Sequence, residues 1–305
     1  MSVSFKSALV VGSNGYLGSN LSYQLIEMGV KVKLADISEN SIISSNQYTQ
    51  IDFTDKAGII EILKDIEIVF FFAGKTGDSQ LGFNQPDQFI LGNEVTLVNL
   101  LNVIKDLKIK PKVIFPSTRL IYQGSDSEID ENSILDPKSV YSVNKLACEN
   151  YLKIFGNCFD IDYSIFRISL PYGSIVPQYR LSYGVMSFLV NLAMNKEPLK
   201  IYGDGKQIGS LIHIQDLVNI LIYASSTSQT NNQIFNVGGP DHFQMGEVVK
   251  LIASKFDVDV ENVNWPDISR KTDQGNLIFS SEKILKILDY NFKFNFKEWL
   301  SQIKQ

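Results

Sequence analysis

The chain has 305 residues, 44% hydrophobic and 20% charged, with a formal net charge of −5. That composition suits a folded protein with a large core rather than a disordered one, and the mild acidity gives no electrostatic pull toward nucleic acid or an anionic membrane. Two cysteines, Cys148 and Cys158, and two histidines, His213 and His242, are too few for a structural zinc site.

Residues 1–6 carry no long apolar run, so no signal peptide is expected. Residues 8–11 read as a short strand. Leu17, Leu21, Leu25 and Met28 then recur at helical spacing over 16–28, and Gly29 ends that helix. Residues 30–35 and 48–53 read as the second and third strands. Thr54 is placed to cap the next helix, whose apolar face is Ile59, Ile60 and Leu63. Residues 67–73 are almost all apolar and run into Gly74, the pattern of a strand buried on both faces. This is the longest apolar stretch, far too short to span a bilayer, and a cytoplasmic location is the expectation. A helix over 87–107, a strand over 112–117, a helix over 140–155 and a strand over 163–168 follow.

Repeated βαβ units predict an α/β fold: a Rossmann-type doubly wound parallel sheet with a smaller C-terminal lobe. The first domain is expected over 1–170. The pattern loosens in the Pro-, Gly-, Ser- and Tyr-rich stretch 171–183, where the second lobe begins. Strand, helix and strand over 211–237 are expected to return to the first domain, leaving 171–210 and 238–305 to the second.

The first strand runs into Gly12-Ser13-Asn14-Gly15-Tyr16-Leu17-Gly18. Glycines at these three places allow a sharp turn, close approach of backbone to a pyrophosphate, and tight packing of the next helix on the sheet. The helix N-terminus adds N–H groups and the positive end of its dipole. A Gly-rich turn between a strand and an amphipathic helix favours dinucleotide binding over a plain turn. Asp36 closes the second strand, where a carboxylate can accept both ribose hydroxyls of an adenosine and would repel a 2′-phosphate. That favours NAD over NADP. Asp52, after the third strand, is a weaker candidate for the adenine amino group.

Tyr141-x-x-x-Lys145 places a phenol and an ammonium on one face of a helix. A tyrosine with a pKa of ~10 is a poor base at neutral pH, and lowering it by ~3 units takes about 4 kcal/mol. One ammonium at ~4 Å and an effective dielectric of ~20 supplies about that much before desolvation is subtracted. An oxidised nicotinamide ring would add a second positive charge. Thr118 ends the preceding strand, where ligands meet an open parallel sheet, and its hydroxyl could bond the substrate oxygen that exchanges a proton with Tyr141.

In these residues the chain resembles the extended short-chain dehydrogenase/reductases, the NAD-dependent sugar epimerases, dehydratases and reductases. The resemblance covers nearly the whole chain. It rests on the three glycines, Asp36, Phe72-Ala73-Gly74, Asn93, Ser117-Thr118 before Tyr122, Tyr141 with Lys145, Arg167 with Pro171-Tyr172-Gly173, Ile201-Tyr202-Gly203-Asp204-Gly205, and Asn236-Val237-Gly238-Gly239. It implies that Tyr141 is the acid/base, that Lys145 lowers its pKa and holds the nicotinamide ribose, and that Thr118 positions the sugar hydroxyl. It places Asn14, Tyr16, Leu17, Phe72, Ala73, Gly74 and Ser117 along the cofactor, supported by Asn93. Substrate contacts implied are Thr118, Arg119 and Arg270. It also implies a homodimer built on the helices over 87–107 and 140–155.

Two departures matter. Gly209 stands where the resembled family often has an arginine for the substrate's diphosphate, and Lys206 or Arg180 is a weak substitute. Arg119 and Leu120 stand where the 4,6-dehydratases carry Asp-Glu, which disfavours dehydration. Epimerisation at C4 of a nucleotide-diphosphate sugar is the favoured reaction, a 4-ketoreductase the alternative, and a non-catalytic dinucleotide sensor the remaining class.

Overall fold

The computed structural model describes residues 3–45, 47–176 and 184–304. The first half alternates β1 (Ser7–Val11), α1 (Tyr16–Glu27), β2 (Lys31–Asp36), β3 (Tyr48–Gln50), α2 (Lys56–Ile62) and β4 (Ile68–Phe71). Then come α3 (Ser79–Asn84), α4 (Pro86–Ile90), a π turn over Leu91–Val95, α5 (Thr96–Leu107), β5 (Lys112–Thr118), a 3-10 turn over Arg119–Ile121, α6 (Val140–Phe159), β6 (Tyr163–Ile168) and β7 (Leu170–Tyr172). The remainder holds α7 (Val185–Met194), β8 (Leu199–Tyr202), β9 (Ile208–His213), α8 (Ile214–Ser225), β10 (Gln233–Val237), β11 (Asp241–Gln244), α9 (Met245–Phe256), β12 (Val260–Val263), α10 (Asp267–Thr272), α11 (Glu282–Leu288) and α12 (Phe296–Gln302).

The main sheet has seven strands in the order β10-β6-β5-β4-β1-β2-β3, and every pairing is parallel. The fold is Rossmann-type α/β. Alternation along β1 divides the core: Ala8 and Val10 join the apolar cluster on one face, with Leu21 and Leu25 of α1 and Leu217 and Leu221 of α8. Leu9 and Val11 join the other face, with Ile59 of α2, Leu100 and Ile104 of α5, and Leu152 of α6. Helices cover both faces, so the central strands are buried; all seven residues of β5 and all four of β4 are buried, whereas β3 at the edge is not.

Late segments divide between two sheets. β10 extends the main sheet beside β6, and α8 packs against α1 in its core. β9 instead joins β7 and β11 in a three-stranded sheet. Tyr172, Met186, Leu199, Ile252 and Phe296 build a separate apolar cluster in this second part.

Local expectations shift at several boundaries. The third strand stops at Gln50, because Asp52 turns the chain by accepting the Thr54 N–H at 2.8 Å. Asp55 rather than Thr54 therefore caps α2, accepting from Ala57 N. The expected helix over 87–107 is interrupted by the π turn, and the one expected to end at 155 runs to Phe159.

Candidate active site

The dinucleotide crevice opens where the strand order reverses between β1 and β4. Gly12 has φ +80°, and a Cβ there would lie 2.6 Å from the Ala73 backbone nitrogen. A Cβ on Gly18 would lie 2.1 Å from the Gly12 carbonyl oxygen. Only glycine lets the turn meet the end of β4 and lets α1 meet the turn. α1 starts at Tyr16 and Leu17 with no side-chain cap and no acidic residue in its first turn, which leaves its positive end open to an anion. The Tyr16 hydroxyl ties this helix to the second part by donating to the Gly173 carbonyl at 2.7 Å.

Asp36 is fixed at the end of β2. Its Oδ2 accepts the Asn14 N–H at 3.0 Å, and its Oδ1 accepts the N–H and hydroxyl of Ser38. The carboxylate thus sits against the glycine turn, as a ribose ligand would. Asp52 is exposed, and one of its oxygens is committed to the Thr54 turn.

Behind β4 the chain places Gly74 against two other predicted residues. A Cβ on Gly74 would lie 2.5 Å from Asn93 Oδ1 and 4.0 Å from Lys145 Nζ. Asn93 is buried in the π turn, and its amide donates to the carbonyls of Lys75 and Phe89. Its Oδ1 is a buried acceptor without a partner. The π turn also turns the Asn93 carbonyl to the Cys148 thiol at 3.4 Å. Cys148 is thus a core residue, its thiol pushed up to about 12 by burial.

Lys145 is buried. Its ammonium donates to the Pro116 carbonyl at 2.9 Å and lies 4.5 Å from the Phe115 ring centroid. It lies 5.9 Å from the Tyr141 ring centroid. Burial pulls the ammonium down to about 8, and burial pushes the Tyr141 phenol up to about 12. The expected lowering of Tyr141 is therefore not a property of the protein alone. Desolvation is the largest cause, and the Lys145 ammonium faces the ring while donating to the Pro116 carbonyl.

β5 outruns its neighbour. Its pairing with β4 ends at Ile114, whereas pairing with β6 continues to Thr118. The last residues of β5 therefore face the crevice with one edge unpaired, and a proline is tolerated at 116. Thr118 is buried, and its Oγ1 accepts the Leu120 N–H at 3.2 Å, leaving its own hydrogen to donate. The Ser117 hydroxyl is committed elsewhere, donating to Glu149. Glu149 is bound by Arg167 through Nε at 3.1 Å and Nη2 at 2.8 Å. Arg167 Nη1 continues to the Tyr122 hydroxyl at 2.7 Å, which donates to Asn236 Oδ1 at 2.7 Å. This buried network was missed in the sequence, although Glu149 extends the four-residue spacing of Tyr141 and Lys145 on one face of α6.

Arg119 is half-buried, and burial pulls its guanidinium down to about 10, with Asp273 acting in the opposite direction. Arg270 is exposed on α10. Lys206 pairs with Asp204 at 3.2 Å in solvent, and Arg180 lies outside the described residues. A Cβ at Gly209 would meet Leu170 Cδ1 at 2.7 Å, so a side chain there would require Leu170 to shift. A cavity of about 650 Å³ lined by Gly239, His242, Phe279, Lys286 and Phe292 includes none of the predicted site residues. Volume does not mark the chemistry here.

Residues 8–238 match the model of the NAD dependent epimerase/dehydratase family. The chain belongs to that family. Its cofactor is NAD, and the open helix terminus, the pinned Asp36 and the unpartnered Asn93 Oδ1 fit one. The CDP-paratose 2-epimerase of Salmonella typhi is 22% identical over 97% of each chain. UDP-glucose 4-epimerase of Mycoplasma pneumoniae is 26% identical over 84% of this chain and 83% of that one. The structure of a UDP-glucose 4-epimerase from Thermotoga maritima with UDP-glucose superposes with a TM-score of 0.84 at 24% identity, covering 97% and 96% of the two chains. At that identity it establishes the fold. Among the described residues, no helix is long and apolar enough to cross a membrane.

Proposed function

We propose that the protein is an NAD-dependent nucleotide-sugar 4-epimerase. One observation carries the reading: Gly74, at the end of β4, is flanked by both Asn93 and the Lys145 ammonium, and Lys145 also holds the end of β5 two residues before Thr118. The phenol–ammonium pair and the cofactor turn therefore serve one site. The chemistry NAD supplies when bound is reversible acceptance of a hydride. Asp36 would hold its adenosine ribose, Gly12 to Gly18 its pyrophosphate, and Lys145 its nicotinamide ribose; Asp52 keeps one oxygen for the adenine.

Thr118 donates to the reacting sugar oxygen and orients it. Tyr141 takes the proton of that hydroxyl and later returns it. With the phenol near 12 and the ammonium near 8, the resting pair is a neutral phenol beside a cation. Conversion to the base requires further positive charge beside the phenol. Arg119 and Leu120 offer no carboxylate for eliminating water, so the keto sugar is reduced rather than dehydrated. The family resemblance further supports a homodimer through α5 and α6, whose outer faces expose Leu107, Val143 and Ile154.

The test is incubation with UDP-glucose, UDP-galactose and their uronates without added cofactor, followed by NMR of the products. Interconversion of C4 epimers is expected. Tyr141→Phe should lower turnover by roughly 10²–10⁴-fold while leaving NAD bound. Full activity in that variant, or conversion only with added reduced cofactor, refutes the reading.

A further inference from the structure

Arg119, the chain neighbour of Thr118, carries a cation that the proposed chemistry does not use. It belongs to the 3-10 turn that directly follows β5. The next residue of that turn is tied to the second part of the chain, since Gln274 Nε2 donates to the Leu120 carbonyl at 3.0 Å. Arg119 thus lies between the reacting end of β5 and the 273–274 segment. Its guanidinium makes no hydrogen bond and no ion pair among the described residues. Asp273 acts on it electrostatically, but one Asp273 oxygen is held by the Gly275 N–H at 3.1 Å, and among the described residues no carboxylate lies within 4.0 Å of the guanidinium. The Gln274 Oε1 is also buried without a partner.

Holding a half-buried guanidinium without a bonded anion is unfavourable, and a bound carboxylate would reverse that. Its pKa near 10 keeps it charged at neutral pH. Two anions of a nucleotide sugar are within the logic of the site: the diphosphate and a carboxylate on the sugar ring. Thr118, the chain neighbour of Arg119, holds the reacting oxygen, whereas the diphosphate lies beyond the anomeric carbon. Exposed Arg270, on α10 before Asp273, remains available for it. The planar fork of arginine also matches a carboxylate through two parallel hydrogen bonds.

We propose that Arg119 is a specificity-determining residue that grips a carboxylate on the sugar, so that the substrate class is a nucleotide-linked uronic acid. This rests on the nucleotide-sugar reading above. The test is calorimetric titration of the protein, as purified with its cofactor, with UDP-glucuronate, UDP-glucose and UDP. The uronate should bind about tenfold or more tighter than the hexose. Arg119→Ala should erase that preference and leave UDP affinity within about twofold, and Arg119→Lys should keep part of it. If Arg119→Ala does not fold, the wild-type preference and the lysine variant decide the matter. Equal affinity of wild type for the two sugars overturns the role of Arg119 and leaves the epimerase reading intact. A parallel loss of UDP and uronate affinity in Arg119→Ala assigns the guanidinium to the diphosphate and also overturns it. Failure of wild type to bind either sugar removes the nucleotide-sugar reading itself, and this proposal with it.

Discussion

Arg167→Met tests the buried network behind Thr118. Arg167 and Glu149 are 2% and 0% exposed, and two hydrogen bonds join them. Removing the guanidinium leaves a carboxylate in the core with only the Ser117 hydroxyl on it. It also removes the donor to Tyr122 and the donor to the Glu131 carbonyl at 3.1 Å. Breaking a buried pair from one side costs about 3–5 kcal/mol, because the remaining charge is uncompensated. At about 2 °C per kcal/mol for a chain of this size, the melting temperature should fall by roughly 6–10 °C. The double variant Arg167→Met with Glu149→Gln removes both charges and retains an amide oxygen for Ser117. It should recover at least half of the loss. Urea unfolding followed by far-UV circular dichroism measures all three proteins. A loss below about 1 kcal/mol in Arg167→Met, or no recovery in the double variant, would show that the pair is not the buried, dry contact argued here.

Asp36→Ala should weaken NAD about tenfold and narrow its advantage over NADP, read by fluorescence titration with both cofactors. Because Asp36 also accepts the Asn14 N–H, a lower melting temperature with an unchanged NAD to NADP ratio would make its role purely structural. His213 supplies an acid-sensitivity test. Burial pulls its imidazole down to about 4, its Nδ1 accepts the Gln215 N–H, and its ring stacks on Phe294 at 4.2 Å. The folded pKa lies below the unfolded one, so the stabilisation is complete above about 6.5 and is lost as pH falls toward 4, about 3 kcal/mol in all. His213→Asn keeps a helix-capping oxygen but does not titrate. Its unfolding free energy should vary less between pH 6.5 and 4 than that of wild type, and identical slopes would refute the assignment.

What could be read from sequence was local. The glycine turn announces itself because one of its constraints lies within seven residues: Gly18 must clear the Gly12 carbonyl. The buried strands announce themselves by continuous apolar runs, which parallel sheets with two covered faces require. The four-residue spacing of Tyr141 and Lys145 needs only a helix. Asp55 as the cap of α2 was missed because Asp52, two residues before Thr54, redirects it, and competing oxygens within four residues cannot be ranked by residue type alone.

The surroundings of Thr118 were not legible for a different reason. They come from distant chain. Gln274 bonds the Leu120 and Asp136 carbonyls from 154 and 138 residues away, and Asn236 receives the Tyr122 hydroxyl from 114 residues away. Sequence spacing carries no signal for such contacts. The protonation of Tyr141 is likewise a collective property: the same helix face that brings the ammonium near also removes water from the phenol, and burial prevails. A motif therefore identifies the groups that do the chemistry, while their readiness is set by how deeply the fold buries them. Gly209 makes the same point from the other side. It carries no side chain toward the substrate, so a cation for the diphosphate has to come from another element, and exposed Arg270 on α10 is available for it.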